Sequence, residues 1–84
     1  MNLTENRTAL SPEAATRKLL QIILRADIDV GQFTHTGITN SAFTREGGTI
    51  AESSAGIAFG TEHPWFKVDR SGTRLVLFQA GRDL

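Results

Sequence analysis

The last fifth of the chain constrains the fold most strongly, because it has the pattern of two β-strands joined by a tight turn. From Pro64 to Gln79 it reads PWFKVDRSGTRLVLFQ. Aromatic and branched apolar residues flank the turn, as is typical of strands. Asp69 suits the first position of a type I turn, and Gly72 can adopt the left-handed conformation that follows it. We therefore predict a C-terminal β-hairpin.

The register of this hairpin predicts apolar residues on both faces of the sheet. With a three-residue loop, Val68 lies opposite Arg74 and Phe66 lies opposite Val76. One helix covers only one face of a small sheet, so we expect the second face either to be an exposed interface or to be covered by residues 37–54. The first predicted face carries Phe66, Val68, Val76 and Phe78, and the second carries Trp65, Leu75 and Leu77.

A helix is clearly marked near the N-terminus. Ser11 is a good N-cap, Pro12 suits the first helical position, and Glu13 complements the positive end of the helix dipole. Apolar residues then recur at helical spacing, at Ala15, Leu19, Ile22, Ile23 and Ala26. The pattern predicts an amphipathic helix of roughly four turns.

The middle of the chain is harder to interpret. Alternation of apolar and polar residues predicts a strand near 28–36. For 37–60, one alternative is a hairpin with strands at 38–45 and 49–59, and the other is a short helix opened by a Thr49–Glu52 capping box. We favour the strands, because Gly56 and Gly60 would each cost a helix about 1 kcal/mol.

These elements predict the α+β class. One N-terminal amphipathic helix packs on a small antiparallel sheet of about four strands, which ends in the C-terminal β-hairpin. A length of 84 residues fits one domain with a small core. We place this domain at residues 11–80, between a flexible N-terminus at 1–10 and a tail at 81–84.

Composition narrows the class of protein further. The chain has no cysteine, so disulfides, thiol nucleophiles and cysteine metal sites are excluded. It shows no signal-peptide pattern and no long apolar run, and we expect a cytoplasmic protein without a membrane span. Nine basic and nine acidic residues cancel, which weakens general attraction to nucleic acid. Residues 65–84 nevertheless hold four basic and two acidic side chains, a local excess of +2.

No pattern in the sequence indicates a catalytic, metal-binding or phosphate-binding site. His35 and His63 are far apart and show neither HxH nor HxxxH spacing. Serine is common, but no GxSxG elbow occurs, and Gly47-Gly48-Thr49 lacks the rest of a phosphate loop. We therefore expect no enzymatic activity, no catalytic residue, no metal site and no cofactor.

The predicted function is contact with another protein. A regulator, accessory subunit or inhibitor of the kind that phages and mobile elements encode fits a small neutral domain with an apolar sheet face. The partner is a different protein or a second copy that forms a dimer. Because Trp and Arg often dominate interfaces, the predicted partner-binding residues are Trp65, Leu75, Leu77, Arg70 and Arg74.

The alternative is nucleic-acid binding. Residues 65–79 resemble the wing of a winged-helix DNA-binding regulator, in which Lys67, Arg70 and Arg74 would contact phosphates or enter the minor groove. This interpretation requires two helices before the wing, at 40–46 and 49–59. Three acidic residues in that region have the wrong sign for a DNA-reading element, so we rank this alternative second. They are Glu46, Glu52 and Glu62.

Overall fold

A computed structural model describes residues 9–84, which form four α-helices and a three-stranded antiparallel sheet. The elements in chain order are α1 (Pro12–Arg25), β1 (Phe33–His35), α2 (Thr36–Arg45), α3 (Ile50–Glu62), β2 (Phe66–Val68), β3 (Arg74–Leu77) and α4 (Gln79–Arg82). The predicted α+β class is confirmed, although the sheet has three strands instead of about four and the helices are more numerous. Within residues 9–84, no helix has the length and apolar character needed to cross a membrane.

Helix α1 begins where the sequence predicts. The Ser11 hydroxyl accepts a hydrogen bond from the Ala14 amide at 3.1 Å, and Pro12 is the first helical residue. Ala26 is the C-cap and is exposed. The buried face matches the rest of the predicted stripe and adds Thr16 and Leu20 to it; its residues are Ala15, Thr16, Leu19, Leu20, Ile22 and Ile23.

Residues 37–45 belong to α2 and residues 50–60 to α3, so the favoured prediction of two strands is wrong. The capping box exists: the Thr49 hydroxyl accepts from the Glu52 amide at 3.1 Å, and the Glu52 carboxylate accepts from the Thr49 amide at 3.0 Å. The two glycines that argued against a helix are packing sites. A Cβ on Gly56 would lie 3.0 Å from the backbone of Ala15, and one on Gly60 would lie 2.3 Å from the Phe66 ring.

The sheet has the strand order β1-β3-β2. Of the predicted strand 28–36, only Phe33–His35 is a strand of this sheet. The residues before Phe33 form a turn instead. Gly31 has a φ of +84°, and the Gln32 amide donates to the Asp29 carbonyl at 3.0 Å.

The hairpin is present, but its predicted register is wrong by one residue. Phe66 pairs with Leu77 and Val68 pairs with Leu75. The loop holds four residues, 70–73, and is closed by a 2.9 Å hydrogen bond from the Asp69 amide to the Arg74 carbonyl. Because a shift of one residue exchanges the faces of a strand, the apolar residues divide differently between the faces.

The corrected register places the hairpin's large apolar residues in the core. Phe66, Leu75 and Leu77 are 1%, 0% and 0% exposed and pack with Leu20 and Ile23 of α1. A second cluster contains Ala15, Leu19, Ile22 and Phe43, and Ile57 packs against both. Leu75 and Leu77 therefore do not form an exposed face with Trp65, which was one of the two alternatives that the sequence left open.

Both ends of the described chain pack on the domain. The Leu10 amide donates to the Glu52 carboxylate at 2.6 Å, and residues 1–8 of the predicted flexible N-terminus lie outside the described residues. Gly81 of the predicted tail is buried in α4. A Cβ at this position would lie 2.2 Å from the Trp65 carbonyl oxygen, so α4 is held closely against the start of β2.

Candidate functional site

The hairpin loop, residues 70–73, and the two residues that flank it form a compact turn built around one carboxylate. The Asp69 side chain accepts from the Ser71 hydroxyl at 2.8 Å and from the Thr73 and Arg74 amides at 3.2 Å each. These hydrogen bonds, chiefly that from Ser71, hold the pKa of Asp69 below its ordinary value of 3.8. Gly72 has a φ of +77°, in the left-handed region as predicted. Arg70 is the first residue of the loop and is exposed.

The loop is also bound to the first turn of α2. The Thr36 amide donates to the Thr73 carbonyl at 2.9 Å, and the Thr36 hydroxyl donates to the Gly72 carbonyl at 2.8 Å. These two bonds place the start of α2 beside the end of the hairpin. Sequence reasoning gave no signal for this contact, because it joins residues 36 apart in the chain.

Helices α2 and α3 are joined by a tight turn. Gly47 has a φ of +99°, and the Gly48 amide donates to the Phe43 carbonyl at 3.0 Å. A Cβ on Gly48 would lie 2.0 Å from the Phe43 ring, so the turn passes directly over this core residue. The Ser53 hydroxyl donates to the Asn40 side chain at 2.5 Å and ties the two helices together. A short glycine-containing turn between two helices is the arrangement of helix-turn-helix units.

The outward side of α3 is uncharged over most of its length. At its start Ile50 is 78% exposed, and only Glu62, at its far end, is an exposed charged residue. The other exposed residues of this helix are small; they are Ala51, Ser54, Ala58 and Thr61.

Two of the three acidic residues that counted against DNA binding are held in contacts with other groups. Glu46 lies between Lys18 at 3.3 Å and Arg25 at 2.5 Å, and these hydrogen bonds, first that of Arg25, lower its pKa below 4.5. Glu52 is buried at 8% exposure and caps α3. Of the three acidic residues, only Glu62 remains exposed and outside these contacts.

The ion pairs divide the basic residues into two groups. Four pairs involve α1 or α4; they are Arg17–Glu13, Lys18–Glu46, Arg25–Glu46 and Arg82–Asp29. The remaining basic side chains form no ion pair within residues 9–84, and all of them belong to the end of α2 or to the hairpin. They are Arg45, Lys67, Arg70 and Arg74. Among the described residues, the uncompensated positive charge is therefore confined to the helix-turn-helix unit and the hairpin.

The outer face of the sheet continues this basic surface. Phe33, Val76 and Lys67 lie side by side across the three strands, and His35 lies opposite Arg74. The Arg74 guanidinium stands 4.9 Å from the Phe33 ring centroid, a cation–π distance.

The predicted site residues fall into separate places. Arg70 and Arg74, with the alternative residue Lys67, are exposed on the hairpin, whereas Leu75 and Leu77 are in the core. Trp65 is half-buried and packs with Phe59 and His63 at 5.4 and 5.3 Å between ring centroids. Within residues 9–84, no three side chains of metal-binding type gather at one point.

Comparison with family models, with curated proteins and with solved structures finds no match to this chain.

Proposed function

We propose that this protein is a small winged-helix DNA-binding regulator. Before the short C-terminal α4, the order is helix, strand, helix, helix, strand, strand, with β3 between β1 and β2, and this is the order of winged-helix domains. In such a domain α3 enters the major groove of duplex DNA and the β2–β3 hairpin is the wing. Because a fold does not define a function, the proposal depends on the surface of these elements.

The observation that carries the proposal is the position of the unpaired cations. Arg70, Arg74 and Lys67 of the wing and Arg45 before the turn have no carboxylate partner among residues 9–84, while the cations of α1 and α4 do. Phosphate contacts by such side chains supply most of the affinity for DNA. A neutral protein thus presents a basic surface on the side where a winged helix contacts DNA.

The test is DNA binding by a wing variant. We expect the double variant Arg70→Ala, Arg74→Ala to raise the Kd for duplex DNA at low salt about tenfold or more. The slope of log K against log salt concentration should decrease in magnitude by about 2, because each lost phosphate contact contributes about 0.9. The matched control is Arg17→Ala with Arg82→Ala, which removes the same charge from ion-paired positions and should bind almost normally. Failure of the wild-type protein to bind any duplex at low salt would refute the proposal.

A second candidate retains protein contact but moves it to the helices. Ile38 of α2 is 61% exposed and Ile50 of α3 is 78% exposed, and these are the two most exposed large hydrophobic side chains among residues 9–84. We propose a second copy of the chain as the partner. A dimer in sedimentation equilibrium that Ile50→Asp converts to a folded monomer would support it, and a monomer at all concentrations would exclude it.

A further inference from the structure

The outward side of α3 lacks the side chains that read bases. Discrimination in the major groove depends mainly on paired hydrogen bonds from Arg, Lys, Asn or Gln to a base edge. None of the exposed residues of α3 is of these types; they are Ile50, Ala51, Ser54, Ala58, Thr61 and Glu62.

The polar residues among these six discriminate poorly. The Ser54 hydroxyl can donate and accept, so it suits several bases. The Thr61 hydroxyl already donates to the Ile57 carbonyl at 2.8 Å, so it can only accept, which suits both cytosine and adenine. Glu62 could accept from cytosine, but it is the last residue of α3, about 18 Å along the helix from Ile50. Recognition helices contact bases mainly with their N-terminal residues. The small side chains allow α3 to approach the groove closely without selecting its sequence.

The wing, in contrast, offers a long cation on a fixed support. Arg70 projects from a loop in which Asp69 binds one hydroxyl and two amides, and Thr36 holds the loop from outside. Arginine is favoured in the narrow, strongly negative minor groove of A·T-rich DNA. In the minor groove a G·C pair adds the guanine amino group, which an A·T pair lacks.

We propose that this protein selects DNA by the shape of its minor groove, through Arg70, and that α3 enters the major groove without discriminating bases. This inference rests on the proposed DNA binding. It assigns selectivity to the wing and predicts a preference for A·T-rich duplexes that tolerates many sequences.

Inosine substitution separates the two grooves. An inosine·cytosine pair has the major-groove edge of G·C, but like A·T it lacks the amino group in the minor groove. We would measure Kd for three duplexes of equal length containing A·T, G·C or inosine·cytosine tracts. The expected result is similar binding to the A·T and inosine·cytosine duplexes and about tenfold weaker binding to the G·C duplex, which corresponds to about 1.4 kcal/mol.

Two variants assign the preference to its source. Arg70→Ala should bind all three duplexes with similar Kd values, whereas Ser54→Ala should retain the wild-type order. The inference is overturned if inosine·cytosine binds as weakly as G·C, if wild-type binding is equal for all three duplexes, or if Arg70→Ala keeps the preference. Absence of binding to every duplex would instead refute the proposed DNA binding itself, together with this inference.

Discussion

Asp69 illustrates how a single side chain determines the geometry of the hairpin. Its carboxylate reaches the amides of both Thr73 and Arg74, which extends the loop to four residues. The sequence pattern identified the turn and the left-handed Gly72 correctly. It could not supply the register, because the loop length depends on which amides the carboxylate reaches in space.

The lowered pKa of Asp69 makes hairpin stability depend on pH. The folded pKa lies below the ordinary 3.8, so the ionised carboxylate favours the folded state. Its contribution is complete above the unfolded pKa and is lost as pH falls from that value through the lower folded pKa. We expect the free energy of unfolding to fall over this range in the wild-type protein.

Asp69→Asn provides the comparison for this prediction. The amide cannot ionise, so the difference in unfolding free energy between wild type and variant should shrink as pH falls. Because Glu46 also has a lowered pKa, only this difference isolates Asp69. A difference that stays constant with pH would contradict the prediction.

At the scale of elements, α3 shows why local preference misled the sequence analysis. Gly56 and Gly60 reduce helix propensity, and this argued for strands. The two glycines allow close packing between elements that are distant in sequence, which helix propensity does not take into account. Gly56 packs on α1, and Gly60 lies under the Phe66 ring. Helix α1 was predictable because its cap and its apolar stripe are both local. The capping box of α3 was also visible in the sequence but was outweighed by the two glycines.

Two alanine substitutions test this account of the helical glycines. Gly60→Ala places a Cβ 2.3 Å from the Phe66 ring, which is buried, and should destabilise the protein by about 1 to 3 kcal/mol despite the better helix propensity. Gly37→Ala in α2 meets no atom within 4 Å and should stabilise it by up to about 1 kcal/mol. Urea denaturation of each variant measures the change in the free energy of unfolding. If Gly60→Ala stabilised the protein, α3 would not pack against Phe66 as described.

The molecule as a whole has two apolar clusters that share α1. Leu77 belongs to the cluster between α1 and the sheet, and Ile57 packs against both clusters. We expect Leu77→Ala to cost about 2 to 5 kcal/mol, a large part of the stability of a small domain. Unfolding followed by fluorescence of Trp65, the single tryptophan, and by far-UV circular dichroism should give one coincident transition.

Ile50→Ala is the matched control for this substitution. Its side chain is 78% exposed, so its removal should change stability by no more than about 0.5 kcal/mol. If Trp65 fluorescence and far-UV circular dichroism gave separate unfolding transitions for the wild-type protein, the two apolar clusters would unfold independently.

The candidate site also emerges only at the scale of the whole molecule. The sequence placed Lys67, Arg70 and Arg74 on the hairpin, and their position there is confirmed. It could not indicate which cations are neutralised, because the partners are distant: Lys18 and Glu46 are 28 residues apart, and Arg82 and Asp29 are 53 apart. Charge counts along the chain therefore underestimated the basic character of this surface.

The two hydrogen bonds from Thr36 to the hairpin loop have a kinetic consequence. They join the hairpin to α2, so any binding partner would meet both elements already in their relative positions. A loop that is ordered before the encounter loses little conformational entropy when it binds. Association need not wait for a rearrangement, so its rate should be governed by electrostatic attraction and orientation.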